Sequence, residues 1–283
     1  MARRAVVLGG GGTLGIAWMT GLAAAMAEGG IQLSDADLFV GTSAGSVVGT
    51  QLAFSLDPKL MLAAQQAEGD KPSGLDQHTD PATVTAVLEK WFTAQTVTPE
   101  LRRELGAIAL VARTMDEERW LGVFTKTLGG VPWPAKPLKI TAVDAVSGEL
   151  TVWESGSNVE LPKAVASSCT VPGLFPPVTI NGHRYIDGGV RSGTNADLAA
   201  GYEKVLVIAP MASVGHPLGH RQLIAEMERL RAAGAQVEPV LPDREALEVF
   251  GPSMMDATRR TASLEAGLRQ GRTAADHLTA FWH

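Results

Sequence analysis

Cysteine is almost missing from this chain: Cys169 stands alone among 283 residues. No intramolecular disulfide can form, which excludes a disulfide scaffold and makes a reducing compartment, the cytoplasm, the expected setting. Metal-ligand spacing is equally thin. His216 and His220 are four residues apart, but Pro217 and Gly219 lie between them. A helix presenting both to one ion is not expected there, so neither a metal nor a cofactor is expected. Positive charge does not dominate: 24 Lys and Arg against 30 Asp and Glu leave a net charge of −6. That argues against a nucleic-acid binder, which normally shows a basic stripe. It also removes any general attraction to anionic membranes, so contact with a lipid surface would have to be local, apolar and peripheral. No apolar run is long enough to span a bilayer.

The first residues imitate an export signal. Met1-Ala2-Arg3-Arg4 precedes a mostly apolar stretch to Ala27, and the arginine pair even suggests the twin-arginine type. Four glycines, Gly9 to Gly12, interrupt that stretch and would break a signal helix. The segment is therefore read as part of the folded domain. The remaining composition, 45% hydrophobic and 19% charged, is that of an ordinary globular chain with a sizeable core.

The order of patterns suggests an α/β fold. Ala5 to Leu8 is a short apolar run ending at glycines, as in a buried strand. Ile16 to Ala27 is an Ala-rich helix, Asp37 to Gly41 a second strand, and Ala44 to Leu56 another small-residue helix. Strand, turn, helix, repeated, is the rhythm of a parallel sheet wrapped by helices. Residues 58–130 carry mainly helical patterns without a convincing strand, interrupted by a polar stretch from Glu68 to Asp80 that reads as a mobile loop, and Gly129 to Pro137, with three prolines and two glycines, reads as extended loop. Strands resume at Leu138 to Val143 and Leu150 to Trp153, followed by a short helix at Leu161 to Ser168. Asn181-Gly182 between alternating apolar residues predicts a two-residue hairpin over Val178 to Ile186. Lys204 to Ile208 and Gln236 to Val240 read as strands, Arg221 to Ala233 as an amphipathic helix, and Thr261 to Phe281 as a terminal helix. One α/β domain, 1–283, with a helical insertion at 57–137, fits this order.

Three segments can carry chemistry. Gly41-Thr42-Ser43-Ala44-Gly45 matches Gly-x-Ser-x-Gly between a strand and a helix. A nucleophile elbow needs that context: the turn is so sharp that Gly41 and Gly45 flank it, and Ser43 is pushed out at a helix N-terminus that favours negative charge. Ser46 is a rival hydroxyl, but it lies inside the helix. Gly9-Gly10-Gly11-Gly12-Thr13-Leu14-Gly15 also follows a strand and opens a helix. Glycines leave backbone N–H groups open to close approach, as an oxyanion requires. Gly10-x-Gly12-x-x-Gly15 is equally a dinucleotide-binding fingerprint. That reading wants an acid near the end of the second strand, and Asp35 and Asp37 lie before that strand or at its start. A dinucleotide-dependent oxidoreductase thus remains a weaker alternative. The third segment, Tyr185-Ile186-Asp187-Gly188-Gly189, puts an acid directly after a strand. A plain Asp-Gly turn reads just as well there, and spacing alone does not choose. None of the six histidines, His78, His183, His216, His220, His277 and His283, sits at a Gly-marked strand end, so a surface or structural role is expected for each.

Taken together the three segments resemble the patatin-like phospholipases. The likeness extends to Ala166 through Val178 (ASSCTVPGLFPPV) and to Thr141-Ala142-Val143-Asp144, and covers roughly 5–56 and 138–210. It implies a three-layer α/β/α sandwich around a mainly parallel sheet. It also implies a serine acyl hydrolase acting on fatty-acyl esters of phospholipids or other lipids. In that reading Ser43 is the nucleophile, Asp187 its base without a histidine, and the amides of Gly10, Gly11 and Gly12 form the oxyanion hole. Gly41 and Gly45 shape the elbow, and Gly188 and Gly189 complete the Asp-Gly-Gly motif. The family usually has Arg or Lys where this chain has Leu14. A catalytically inactive lipid-binding homologue is the second alternative. The insertion and the 210–260 segment are expected to border the acyl groove, with the insertion as a lid.

Overall fold

The structure, a computed structural model, describes residues 2–72, 74, 79–212 and 217–283. In chain order its elements are β1 (Arg4–Leu8), α1 (Gly12–Glu28), β2 (Leu38–Gly41), α2 (Ala44–Ala53), α3 (Pro58–Glu68), α4 (Pro81–Phe92), α5 (Pro99–Val111), α6 (Glu117–Leu128), β3 (Leu138–Asp144), β4 (Leu150–Trp153), α7 (Leu161–Ser168), β5 (Val178–Ile180), β6 (His183–Asp187), β7 (Lys204–Ile208), α8 (Pro217–Ala232), β8 (Gln236–Val240), α9 (Arg244–Phe250) and α10 (Arg260–Trp282).

The strands form one eight-stranded mixed sheet in the order β5-β6-β3-β2-β1-β7-β8, with β4 paired to β3 off that path. The run β3-β2-β1-β7-β8 is parallel. β4, β5 and β6 make antiparallel pairings. β1 is the centre, which is why Ala5 to Leu8 are all apolar and all fully buried: a strand covered on both faces has no polar side to show. Its alternate residues divide between two cores. Val6 and Leu8 face α1, α2 and α10, and Ala5 and Val7 face Leu223, Met227 and Leu230 of α8. Helices therefore cover both faces, as the sandwich reading expects.

The register around β3 brings two distant segments together. β4 occupies one edge of β3 over residues 140–143. β2 pairs with residues 138–140 and β6 with 142–144. Because β4 fills the other side, β2 and β6 must share an edge. β2 runs parallel to β3 and β6 antiparallel, so their C-terminal ends meet head-on beside Thr141. Gly41 leads into Ser43 from one direction, and Asp187 ends β6 from the other.

The insertion packs onto this frame through α4, α5 and α6. Val87, Leu105 and Ala109 join Val143, Ile186 and Val190 in a third apolar cluster. Trp120 of α6 stacks on Phe175 with ring centroids 4.0 Å apart.

Most elements follow the sequence pattern, and the differences have simple causes. α1 begins at Gly12, not Ile16, because the glycine turn itself enters the helix. α2 stops at Ala53, since Ser55 turns to φ 54°. α8 includes Gly219 and His220, contrary to the expectation for that stretch, and so begins ahead of the Arg221 start that the sequence pattern suggests. α9 was not foreseen: it has only seven residues, although Asp243 caps it by accepting the N–H of Ala246. The Asn181-Gly182 hairpin turn is present, with φ of 52° and 82°. The 68–80 stretch falls partly outside the described residues, as do His78 and His216 entirely. Among the described residues no helix is long and apolar enough to cross a membrane.

Candidate active site

At the elbow, Ser43 joins the end of β2 to the start of α2 with φ 53° and ψ −122°. Few non-glycine residues adopt such a conformation, and its cost is on the order of 1–3 kcal/mol. The surroundings hold it there. The Ser43 N–H donates to Ser168 Oγ at 2.9 Å, and its carbonyl accepts the Ser46 hydroxyl at 2.7 Å. Ser46, the other hydroxyl of this turn, is fully buried and engaged by that bond. Gly45 faces the carbonyl of Leu8 so closely that a Cβ would collide with it. The small residue lets α2 lie against β1.

Asp187 is the last residue of β6 and is 2% exposed. Its N–H donates to Thr170 O at 2.9 Å, and its Oδ1 accepts the Gly189 N–H at 2.7 Å. Burial disfavours the charged form and pushes this carboxyl up to about 7, against the opposing pull of the Gly189 amide and a hydrogen bond from the Ser43 side chain. Asp187 and Ser43, 144 positions apart in sequence, are thus hydrogen-bonding neighbours. Gly188 makes that approach feasible: a Cβ there would strike Thr141.

The glycine loop lies over the same point. A Cβ on Gly10 would be 3.5 Å from the Cβ of Ser43. The Gly10 N–H, however, donates to Gly193 O at 2.9 Å. Among the described residues the amides of Gly11 and Gly12 donate to no backbone carbonyl. The three sequence-predicted segments therefore converge, but only two of the three expected amides are free to take a ligand.

A Gly loop, a serine elbow and a buried acid on one sheet edge are accompanied by a match of residues 6–200 to the Patatin-like phospholipase model. The chain belongs to the patatin-like phospholipase family. Members of that family are lipid acyl hydrolases, and this chain has their fold and their motifs in order. Among solved structures it resembles VipD from Legionella pneumophila at 12% identity and a TM-score of 0.47, covering 98% of this chain and 67% of that one. It also resembles the type III effector protein ExoU at 15% identity and a TM-score of 0.44, with 98% of this chain matched. The chain spans about half of ExoU, 53%. Among curated proteins none matches.

Where other patatin-like phospholipases usually carry Arg or Lys, Leu14 is fully buried. Its N–H donates to Met254 O at 3.0 Å, and its carbonyl accepts the Ser263 hydroxyl at 2.7 Å. A Cβ on Gly12 would fall 2.7 Å from Met255 Sδ. The segment between α9 and α10 thus packs against the glycine loop from outside. No sequence signal marked Met254 or Met255.

The insertion reaches the site through α4. Val87 and Thr83 lie against Gly173, and the indole edge of Trp91 would touch a Cβ on Gly189 at 3.6 Å. Trp120 Nε1 donates to Thr170 Oγ1 at 3.0 Å, which steadies the segment whose carbonyl holds Asp187. The four described histidines, His183, His220, His277 and His283, are all exposed, and none joins the site. His183 pairs with Asp144 Oδ2 at 3.1 Å. The dinucleotide alternative fares badly: Asp37 accepts the Arg4 N–H at 2.7 Å, at the end of β2 remote from the glycine loop.

Proposed function

We propose that this patatin-like phospholipase cleaves fatty-acyl esters of phospholipids or related lipids with Ser43 as nucleophile and Asp187 as base. The observation that carries this reading is the pairing of a strained, nearly buried serine with a carboxyl pushed up to about 7. An ordinary carboxylate near ~3.9 is a poor base for a hydroxyl, and burial brings it close to the operating pH. Asp187 takes the Ser43 proton as Oγ attacks the acyl carbonyl. The negative charge that develops on the carbonyl oxygen is met by the amides of Gly11 and Gly12 and by the N-terminus of α2. The tetrahedral species collapses, the alcohol leaves with the proton from Asp187, and an acyl-serine remains. Asp187 then deprotonates a water, which releases the fatty acid and returns the proton to Ser43.

The insertion supplies the wall of the acyl site. Trp91 lies beside the Asp187 turn and helps keep it dry, and α4 acts as a lid over it. Contact with the lipid in this reading is made at the membrane surface and is transient.

The test is hydrolysis of a phospholipid and of a soluble nitrophenyl ester by wild type, Ser43→Ala and Asp187→Asn. Both variants fold and both lose activity, on the order of 10⁴-fold or more for the serine. An active Ser43→Ala protein would end this assignment. A wild type that binds lipid yet hydrolyses neither ester would instead identify an inactive homologue.

A further inference from the structure

The loop after Asp187 does more than carry the Asp-Gly-Gly turn. Asn195 is fully buried and sits in the left-handed region, φ 51° and ψ 38°. Its amide joins segments that lie far apart in the sequence. Nδ2 donates to Thr42 Oγ1 at 3.0 Å, in the elbow next to Ser43. It also donates to Ser192 O at 2.8 Å and reaches Gly188 O, next to Asp187, at 3.3 Å. Thr141 Oγ1 lies 3.4 Å from it and 2.9 Å from Thr42 Oγ1, at the rung of β3 where β2 and β6 meet.

The orientation of this amide is fixed by its other end. Oδ1 accepts from Arg191 Nη1 at 2.8 Å, and Arg191 is itself held by a two-pronged pair with Asp197 at 2.8 and 2.7 Å. A guanidinium has only donors, so the amide oxygen must face it and the NH₂ must face the elbow. Below the loop, Glu226 of α8, also buried, accepts from Thr194 Oγ1 at 2.6 Å and from the Ala196 N–H at 2.9 Å. The same loop supplies Gly193 O, which anchors the Gly10 amide. One buried loop thus touches the nucleophile's turn, the base's turn and the glycine loop.

We propose that Asn195 is a positioning residue that sets the separation and alignment of Ser43 and Asp187 by tying Thr42 and Gly188 to a single amide oriented by Arg191. This rests on the acyl-hydrolase reading above, in which Ser43 and Asp187 act together. A displacement of about 1 Å at such a site costs on the order of 10²-fold in rate. Asn195 touches no reacting atom, so its removal acts on kcat and not on substrate affinity.

The left-handed backbone makes the variants discriminating. Asn195→Gly removes the amide but tolerates φ 51°, whereas Asn195→Ala removes the amide and adds strain. The expected result for Asn195→Gly is a fall in kcat and in fluorophosphonate labelling rate of about 10²-fold, with KM for a soluble ester within about threefold. The acid limb of its pH profile moves below that of wild type, because water gains access to Asp187. The titratable and charged groups near this loop are Cys169, whose thiol burial drives up, together with Arg191, Asp197 and Glu226. None is substituted in the variant, and Arg191 keeps its pair with Asp197 while losing the Asn195 oxygen. Thr42→Val, which keeps Asn195 but cuts its link to the elbow together with the Thr42 contacts to Thr141 Oγ1 and Thr194 O, shows a smaller loss in the same direction and serves if Asn195→Gly does not fold. Wild-type kcat and an unmoved acid limb in either folded variant overturn the proposal. So does a loss in Asn195→Ala alone, which would reduce the residue to its backbone conformation. If wild type itself hydrolyses nothing, the functional reading fails, and positioning is still read by carbon-13 titration of the Asp187 carboxyl. Its midpoint falls in Asn195→Gly if the amide holds the turn closed, and stays in place if it does not.

Discussion

Ser168 Oγ accepts the backbone N–H of Ser43 at 2.9 Å. Both groups are buried, and the bond crosses from the end of α7 to the elbow. It compensates a strained residue from outside its own turn. Removing the acceptor leaves a buried N–H without a partner, at a cost of about 1–3 kcal/mol. Ser168→Ala is expected to lower stability by that amount, read by denaturant unfolding. It should also lower kcat/KM, as the elbow relaxes toward a commoner conformation. Unchanged stability would mean that the strain is borne elsewhere.

Asp187 links activity and stability to pH with opposite signs. In the proposed role of base it must be ionised, so kcat/KM is expected to rise with pH, with an acid limb centred at about 7. For stability, the folded state holds this proton more tightly than the unfolded chain, where a carboxyl titrates near ~3.9. The contribution of the protonated acid is fully present below about pH 4 and is lost as pH rises through about 7. Wild type should therefore lose thermal stability relative to Asp187→Asn between those limits, by a few kcal/mol at most. Glu226, raised by burial in the same direction, is common to both proteins and drops out of the difference.

Close approach at Gly45 and open space at Gly122 predict opposite outcomes for the same change. A Cβ at Gly45 meets the Leu8 carbonyl, so Gly45→Ala should destabilise by about 1–3 kcal/mol or more. Gly122, inside α6, has nothing within 4 Å of its Cβ position. Gly122→Ala should stabilise by roughly 0.5–1 kcal/mol through helix propensity. Thermal unfolding of the two variants side by side checks both signs.

Trp91 predicts a change in selectivity. Its indole borders the Gly189 turn from the insertion. Trp91→Ala should weaken kcat/KM for a long-chain ester by about tenfold, near 1.4 kcal/mol of lost apolar contact, and much less for an acetyl ester. The acid limb should also move down as Asp187 becomes wetter. Equal losses on both substrates would remove Trp91 from the acyl site.

The fold was largely legible because its strands are short apolar runs punctuated by Gly, Asn and Asp, and those signals are local. Ser43 stood out by its motif, whereas the choice of Asp187 and its meeting with Ser43 came only from the family resemblance. That meeting depends on β2 and β6 sharing one edge of β3, a long-range pairing that no local pattern contains. Asn195 gave no signal, since an Asn in a polar loop looks like any turn residue until its backbone and partners are known. Leu14 looked like a gap in the oxyanion loop. The Met254 carbonyl and Met255 sulfur that brace the loop come from about 240 residues downstream. Gly10 was expected to donate to substrate, and its amide is instead held by Gly193. α9 escaped notice because seven residues hold too few turns to show a period.

The most direct measurement is reaction of the wild-type protein with a fluorophosphonate, followed by peptide mass spectrometry to locate the adduct. Modification of Ser43 alone, abolished in Asp187→Asn and faster at pH 8 than at pH 6, is the result expected. An adduct on another residue, or none on a protein that hydrolyses esters, would contradict the serine–aspartate account.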